Sequence, residues 1–448
     1  MSKLPSVIGI GYVGLSTSVG FTVKGCRVLV YDNDPAKINL LNKGSSSFYE
    51  PELEKYLRQG ISDCLLVAVS SVEEAVRNTD ITFVTVGTPS KPDGAINLEY
   101  IEDSISEIGK ALTKKKKYHV VVVKSTVIPG TLINVVKPLL EKHSNKQLGT
   151  DFGLCINPEF LREGSAYYDT IHPDRIIIGE YDKESGDILE SFYDQLFFEE
   201  KPPIVRTNLS TAELIKYANN AFLATKISYI NTIANICEKI SETDIKTVAK
   251  AIGLDKRINP KFFRAGLGYG GSCFPKDLEA LIAFSKQNNY TPNLLESVQK
   301  VNQQQINHVI NLVETELGEL SNKKIAILGL SFKPGTDDMR EARSIPIINQ
   351  LIAKRAKIIA YDPIAIPNGK KIFKNKIEYG TSPFHCLEDA DCCIIVTEWN
   401  EFKQLTPEDY IRHMKTPILI DARRIHNPKE FNQKIKYKAI GLGRKNLN

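Results

Sequence analysis

From residue 5 the chain alternates short β-branched apolar runs with amphipathic stretches of helix length: "SVIGI", "RVLVYD", "ITFVTV", "VVVVKST" and "RIIIG" are separated in this way. Runs apolar on both strand faces belong to a parallel sheet covered by helices on each side. Near residue 206 the texture changes. "NLSTAELIKYANNAFLATKISYINTIANICEKI" has no strand signal and opens with Ser210 and Glu213 at capping-box spacing, which predicts a mainly helical region over 207–305. A second alternation begins at "NKKIAILGLSF" and continues through "KIIAYDP", "DCCIIVTEW" and "PILIDAR". Its first unit (strand, glycine turn, helix, second strand ending in Asp362) repeats the plan of the unit that ends in Asp32. The predicted fold is α/β: two Rossmann-like, doubly wound parallel-sheet domains, 1–206 and 306–448, joined by a central helical region, 207–305. A long apolar connector helix buries one face against a partner subunit or between the lobes of its own chain; the first alternative predicts a homodimer.

Composition narrows the class without naming a function. At 448 residues the chain exceeds one compact core, and 42% hydrophobic with 25% charged residues is ordinary for a soluble globular protein. No apolar run approaches the roughly 20 residues of a membrane helix. "MSKLPSVIGIGYVG" lacks the charged, apolar and small-residue segments of a secretory signal, so a cytoplasmic location is expected. Eight cysteines without CxxC spacing or clustered histidines suggest neither a disulfide framework nor a metal site. The net charge of +5 suits a phosphate-bearing substrate, and "KKKK" at 114–117 reads as a solvated loop. No basic stripe with interleaved aromatics marks a nucleic-acid surface.

Candidate chemistry begins at "VIGIGYVGLSTSVGF", where Gly9, Gly11 and Gly14 form GxGxxG between a strand and a helix. The first glycine makes the turn, the second admits a pyrophosphate, and the third allows close helix packing. Asp32 ends the next strand, where a carboxylate accepts from ribose hydroxyls and repels a 2′-phosphate, which favours NAD over NADP. "VGTP" at 86–89 and "KSTV" at 124–127 lie at strand carboxyl ends; for Ser125 and Thr126, helix capping and ligand contact both remain open.

Cys273, within "GLGYGGSCFPKD", is either an inert buried thiol or a nucleophile. Beside a nicotinamide cofactor a nucleophilic cysteine implies aldehyde chemistry through a thiohemiacetal and a thioester. Lys216 and Asn220 share one helix face and could donate to one oxyanion, or could be ordinary exposed side chains. In "NPEFLREG", Glu159 and Glu163 either include a water-activating base or are solvated glutamates in the first turns of a helix.

Taken together, "GIGYVG", "VGTP", "KSTV", "NPEFLREG", "ELIKYANNAFLATKISYIN", "GYGGSCFPKD" and "GLSFKPGTDDMRE" resemble, in order and along essentially the whole chain, the UDP-glucose/GDP-mannose dehydrogenase family. The resemblance implies an N-terminal NAD domain, a dimer-forming helical middle and a C-terminal nucleotide-sugar domain. It makes Cys273 the covalent nucleophile, Lys216 and Asn220 the oxyanion donors, and Glu159 the base, with Asp277 and Thr126 assisting through the catalytic water. The NAD positions it implies are Gly9, Gly11, Tyr12, Val13, Gly14, Asp32, Lys37, Thr88, Ser125, Thr126, Glu163, Lys276 and Arg340. Substrate contacts are expected from Glu159, Phe160, Leu161, Arg162, Lys216, Asn220, Tyr269, Gly270, Phe332, Lys333 and Arg423, with Arg257 reaching the neighbouring subunit's site.

"GGSCFPKD" resembles the branch acting on UDP-glucose, since the UDP-N-acetylmannosamine branch carries His in place of that Ser and GDP-mannose enzymes carry Leu after the Cys. The expected reaction is UDP-glucose to UDP-glucuronate; UDP-GlcNAc, UDP-ManNAc and GDP-mannose are the alternative substrates, and a non-catalytic nucleotide-sugar binder is the alternative class. Two features depart from the family pattern: Arg343 stands where many relatives have proline or serine, and Asp337 and Asp338 lie near the expected substrate lysine.

Overall fold

The computed structural model describes residues 3–443, which divide into two compact units, the first ending at Asn219 and the second beginning at Asn220. The first is built on eight strands: β1 (Pro5–Ile8), β2 (Val28–Tyr31), β3 (Leu66–Ala68), β4 (Ile81–Val84), β5 (Val120–Val123), β6 (Gly153–Ile156), β7 (Ile176–Glu180) and β8 (Ile204–Asn208). Their order is β3-β2-β1-β4-β5-β6-β7-β8, so the sheet reverses direction of growth between β1 and β4, where ligands enter open α/β sheets. The alternation explains its burial on both faces: Val121 and Val123 pack in one apolar cluster, Val120 and Val122 in the other. One pairing departs from the expected parallel sheet. β7 runs antiparallel to β6, because the chain returns through the short helix Ala166–Ile171 instead of a full crossover.

The second unit carries β9 (Lys324–Leu328), β10 (Lys357–Tyr361), β11 (Glu378–Tyr379), β12 (Cys392–Ile395), β13 (Ile418–Asp421) and β14 (Lys436–Ala439), all parallel, in the order β11-β10-β9-β12-β13-β14. Ile325, Ile327 and Ile394 bury on one face with Ile230 and Ala234; Ala326, Leu328, Cys393 and Ile395 bury on the other. The short strands β3, β11 and β14 were too brief, or too charged in the case of "KYKA", to stand out in the hydrophobic pattern.

The central stretch is helical as its pattern indicates, through Leu209–Cys237, Ile245–Gly253, Phe274–Gln287 and Asn293–Leu317. β8 extends to Asn208, and Asn293–Leu317 continues unbroken through residue 305. The capping box expected at Ser210 and Glu213 does not form. Asn208 Oδ1 takes the Thr211 N–H (2.9 Å), while Glu213 is withdrawn into the interior to accept from Gly130 (2.6 Å) and Leu132 (2.9 Å). "KKKK" is not uniformly solvated either: Lys115 is buried, its ammonium donating to the Val76 (2.9 Å) and Arg77 (3.0 Å) carbonyls at the end of a helix. Among the described residues no helix is long and apolar enough to cross a membrane.

Candidate active site

Each glycine of the first turn meets a different physical demand. Gly9 holds φ +92°, a conformation strained for any other residue. Gly11 precedes the helix Tyr12–Val23, and a Cβ added there meets nothing within 4 Å, which leaves the helix N-terminus open to a pyrophosphate. A Cβ at Gly14 would lie 1.9 Å from the Gly9 carbonyl oxygen. Asp32, just past β2, accepts from the Ile10 N–H (2.8 Å) and pairs with Lys37 (3.1 Å). These residues fit a dinucleotide: an open amide-lined turn, a carboxylate at ribose position, and Val13 half-buried on the first helical turn.

Thr88 and Ser125 stitch the neighbouring strand ends together. Thr88 Oγ1 donates to the Thr126 carbonyl (2.9 Å) and Ser125 Oγ to the Val86 carbonyl (2.6 Å). Neither Ser125 nor Thr126 caps a helix; the next helical turn begins at Leu132.

Residues 157–164 form a loop, and the glutamates within it are not solvated. Both Glu159 and Glu163 are buried. Lys216, only 3% exposed, donates to Glu159 twice, at the carbonyl (2.6 Å) and at Oε1 (2.9 Å), while Oε2 accepts the Leu161 N–H (2.6 Å). Burial alone would raise the Glu159 pKa, but Lys216, the Leu161 amide and Lys124 together hold it below the ordinary carboxylate value. Phe160 stacks beneath the Arg175 guanidinium at 3.8 Å, and Arg162 is held in a fork with Asp169.

In the second unit Cys273 caps the helix Phe274–Gln287, half-buried, with Sγ 3.5 Å from Ser272 Oγ. Helical amides at this end favour negative charge on the sulfur. One turn on, the buried Asp277 carboxylate receives Asn220 Nδ2 (2.7 Å) on one oxygen and Lys276 Nζ (2.7 Å) on the other. Asn220 is thus buried and engaged, as Lys216 is.

The glycines before Cys273 prove to be packing devices as well. A Cβ at Gly270 would come 2.2 Å from the Glu341 carbonyl, and one at Gly271 would come 2.7 Å from the Phe332 ring. The Tyr269 peptide is bracketed by Asn302, which accepts its N–H (2.8 Å) and donates to its carbonyl (3.0 Å). Lys333 lies over the Phe332 ring at 5.6 Å, and Arg423 Nε donates to the Val396 carbonyl (2.6 Å). Of the two acids that depart from the family pattern, Asp338 is forked by Arg340 and Asp337 accepts from Asn368 (3.1 Å). Arg257 projects from the surface with its side chain 88% exposed and pairs with its near neighbour Asp255 (2.6 Å).

Three supporting residues, and the actual role of Glu213, escaped the sequence reading. Glu50 ties Tyr12 to the 159–166 loop: it receives the Tyr12 hydroxyl and the N–H groups of Gly164 (2.7 Å) and Ala166 (2.6 Å). Lys124 is buried against Asn157 (2.8 Å), and desolvation lowers its pKa to about 8. Asn157 also anchors Tyr193 and the Ile177 carbonyl. Glu213 has its pKa raised to about 7 by burial, against the pull of its backbone donors. Only "KSTV" and "NPEF" carried any signal for two of them, as neighbours of expected site residues.

Comparison with known proteins agrees with this geometry. Residues 4–197 match the NAD binding domain of the UDP-glucose/GDP-mannose dehydrogenase family, 210–304 its central domain and 326–428 its UDP binding domain. The chain is 43% identical to UDP-glucose 6-dehydrogenase YwqF of Bacillus subtilis (strain 168), over 97% of each chain. It is 44% identical to UDP-glucose 6-dehydrogenase of Rickettsia bellii (strain RML369-C), covering 93% of this chain and 94% of that one. The solved UDP-glucose dehydrogenase of Pyrobaculum islandicum superposes with a TM-score of 0.90 at 36% identity, covering 98% of this chain and 97% of that one. An amide-lined turn for a dinucleotide, a buried lysine–carboxylate pair and a cysteine at a helix start, carried on domains that match end to end, leave one conclusion: the chain belongs to the UDP-glucose/GDP-mannose dehydrogenase family.

Proposed function

We propose that this protein oxidises the C6 hydroxymethyl group of UDP-glucose to a carboxylate, giving UDP-glucuronate. The observation that carries the cysteine chemistry is the buried Asn220–Asp277–Lys276 cluster one turn beyond Cys273, an arrangement an inert thiol does not require. The conversion removes two hydrides and adds one water oxygen. NAD, when bound, accepts those hydrides, and the residues expected to hold it are the Gly9–Gly14 turn, Asp32 with Lys37, Thr88, Ser125, Thr126, Glu163, Lys276 and Arg340.

The chain's own groups perform the remaining steps. The Cys273 thiolate bonds to the aldehyde carbon formed in the first oxidation, and negative charge develops on the aldehyde oxygen. Lys216 and Asn220, one helical turn apart, supply a cation and an amide donor for that charge. After the second oxidation C6 is a thioester. Glu159, kept ionised by Lys216, takes a proton from water as the water oxygen bonds to C6; the C–S bond then breaks and returns the thiolate. Asp277 and Thr126 orient that water in this reading. Phe160, Leu161, Arg162, Tyr269, Gly270, Phe332, Lys333 and Arg423 hold the nucleotide-sugar.

The active form in this reading is a cytoplasmic homodimer. Phe222, Tyr229 and Ile236 recur every seven residues on the helix Leu209–Cys237 and are 64%, 51% and 49% exposed, an apolar stripe suited to a second copy. In this reading Arg257, 88% exposed, is the residue that serves the neighbouring subunit's site. Initial rates with UDP-glucose, UDP-GlcNAc, UDP-ManNAc and GDP-mannose test the assignment. UDP-glucose is expected to give the highest kcat/KM by about ten-fold or more; preference for any other member of the set would replace it.

A further inference from the structure

The helix Ser344–Ala353 follows β9 in the second unit, and Arg343 precedes it at the N-cap position, with no side-chain hydrogen bond capping the helix. Arg343 is 9% exposed. Nη1 donates to the Tyr269 carbonyl at 3.1 Å, and Nε is buried without a hydrogen-bond partner. A guanidinium carries five donors, and a buried one left short of acceptors is costly.

The charged and titratable groups acting on it are Glu341, Arg423 and the Tyr269 phenol. Burial lowers the Arg343 pKa; Glu341 and Tyr269 oppose that shift and Arg423 adds to it. A second, partly buried guanidinium borders the same loop, since a Cβ at Gly266 would lie 3.7 Å from Arg423 Nη1, and Arg423 has its own partners in the Val396 carbonyl and, at 3.5 Å, Glu398. The backbone is also strained here: Glu341 holds φ +50°, with its carbonyl set against Gly270. Two like charges, an unfilled donor and an uncapped helix start together favour an anion.

We propose that Arg343 and Arg423 form a two-guanidinium seat for the diphosphate of the nucleotide-sugar, with Arg343 setting the affinity for that half of the substrate. The inference rests on the nucleotide-sugar reading above. It assigns a binding role to a residue that lies outside the catalytic motifs. Arg343 pays for its burial only when the diphosphate is present.

Titration of the full-length protein with UDP and with uridine, alongside thermal unfolding, tests the assignment. Arg343→Met is expected to melt at or above the wild-type temperature without ligand, because an under-partnered buried charge is gone. Its UDP affinity should fall by about ten-fold or more, the scale of a charge-assisted hydrogen bond, while uridine binding holds. Arg343→Lys, which keeps the charge but loses the fork, should fall between the two and covers the case in which the Met variant does not fold. UDP affinity within about two-fold of wild type in the folded variants, or equal losses for uridine and UDP, would overturn the diphosphate seat. A wild-type protein that binds no UDP would overturn the nucleotide-sugar reading and this inference with it.

Discussion

The two sheets of this molecule begin with the same device and use it for different ends. In the first, Gly9 at φ +92° sends its N–H to the Tyr31 carbonyl, and the Ile10 N–H reaches Asp32, both at 2.8 Å. In the second, Gly329 at φ +103° sends its N–H to the Tyr361 carbonyl, and the Leu330 N–H reaches Asp362, again both at 2.8 Å. The surroundings then diverge. Besides Ile10, Asp32 has the Asp34 N–H and the half-exposed Lys37. Asp362 is saturated: Ser331 gives its N–H and hydroxyl, Ile364 and Ala365 give N–H groups, and Trp399 gives Nε1. The helix also opens at once after the first turn, at Tyr12 behind the empty space of Gly11, but only at Ser344 in the second, behind Arg343. A carboxylate with donors to spare around it can exchange them for ribose hydroxyls; one with every lone pair occupied is a structural clasp.

The largest effect should come from breaking the clasp. Asp362→Asn turns an NH2 donor toward groups that are themselves donors and strands several buried N–H groups, which should cost about 3 kcal/mol or more of stability. Trp399, the only tryptophan, reports it directly in urea unfolding followed by fluorescence. Gly14→Ala comes next, at about 2–3 kcal/mol, since its methyl group must displace the Gly9 carbonyl. Gly11→Ala, where the structure is open, should melt like wild type yet bind NAD more weakly; equal melting losses for the two glycines would refute their division of labour. Asp32→Asn should weaken NAD by about ten-fold, or about 1.4 kcal/mol, with a far smaller loss of stability than Asp362→Asn.

A pH titration reads a separate contribution. Folding raises the Glu213 pKa from 4.5 to about 7, so between those values the folded chain holds a proton that the unfolded chain has released. Stability should therefore decline as pH rises through that window and level off above it. In Glu213→Gln this component should vanish, which paired denaturation curves at several pH values would reveal.

What the sequence could convey follows the same division. The strands of both sheets were legible because burial on two faces forces continuous apolar runs such as Val120–Val123. The Gly9–Asp32 unit was legible because an anion imposes glycines at fixed spacing, whereas Asp362 mimicked that signal without its ligand-facing freedom. Glu50 was invisible, and Glu213 was read as a helix cap and not as the latch it is, since a carboxylate that holds a loop through backbone amides needs only to lie somewhere within reach. The antiparallel β7 was hidden for a related reason: strand direction depends on how the chain returns, and the apolar run "RIIIG" reads the same either way.

The central claim is that one enzyme carries C6 through two oxidations, the second of them on Cys273. Limiting UDP-glucose with excess NAD, followed by absorbance at the NADH band and by mass analysis of the sugar product, measures it directly. The account predicts two NADH for each UDP-glucuronate in the wild type and no acid from Cys273→Ala. One NADH per sugar with the aldehyde as the final product, or full acid formation by Cys273→Ala, would contradict it.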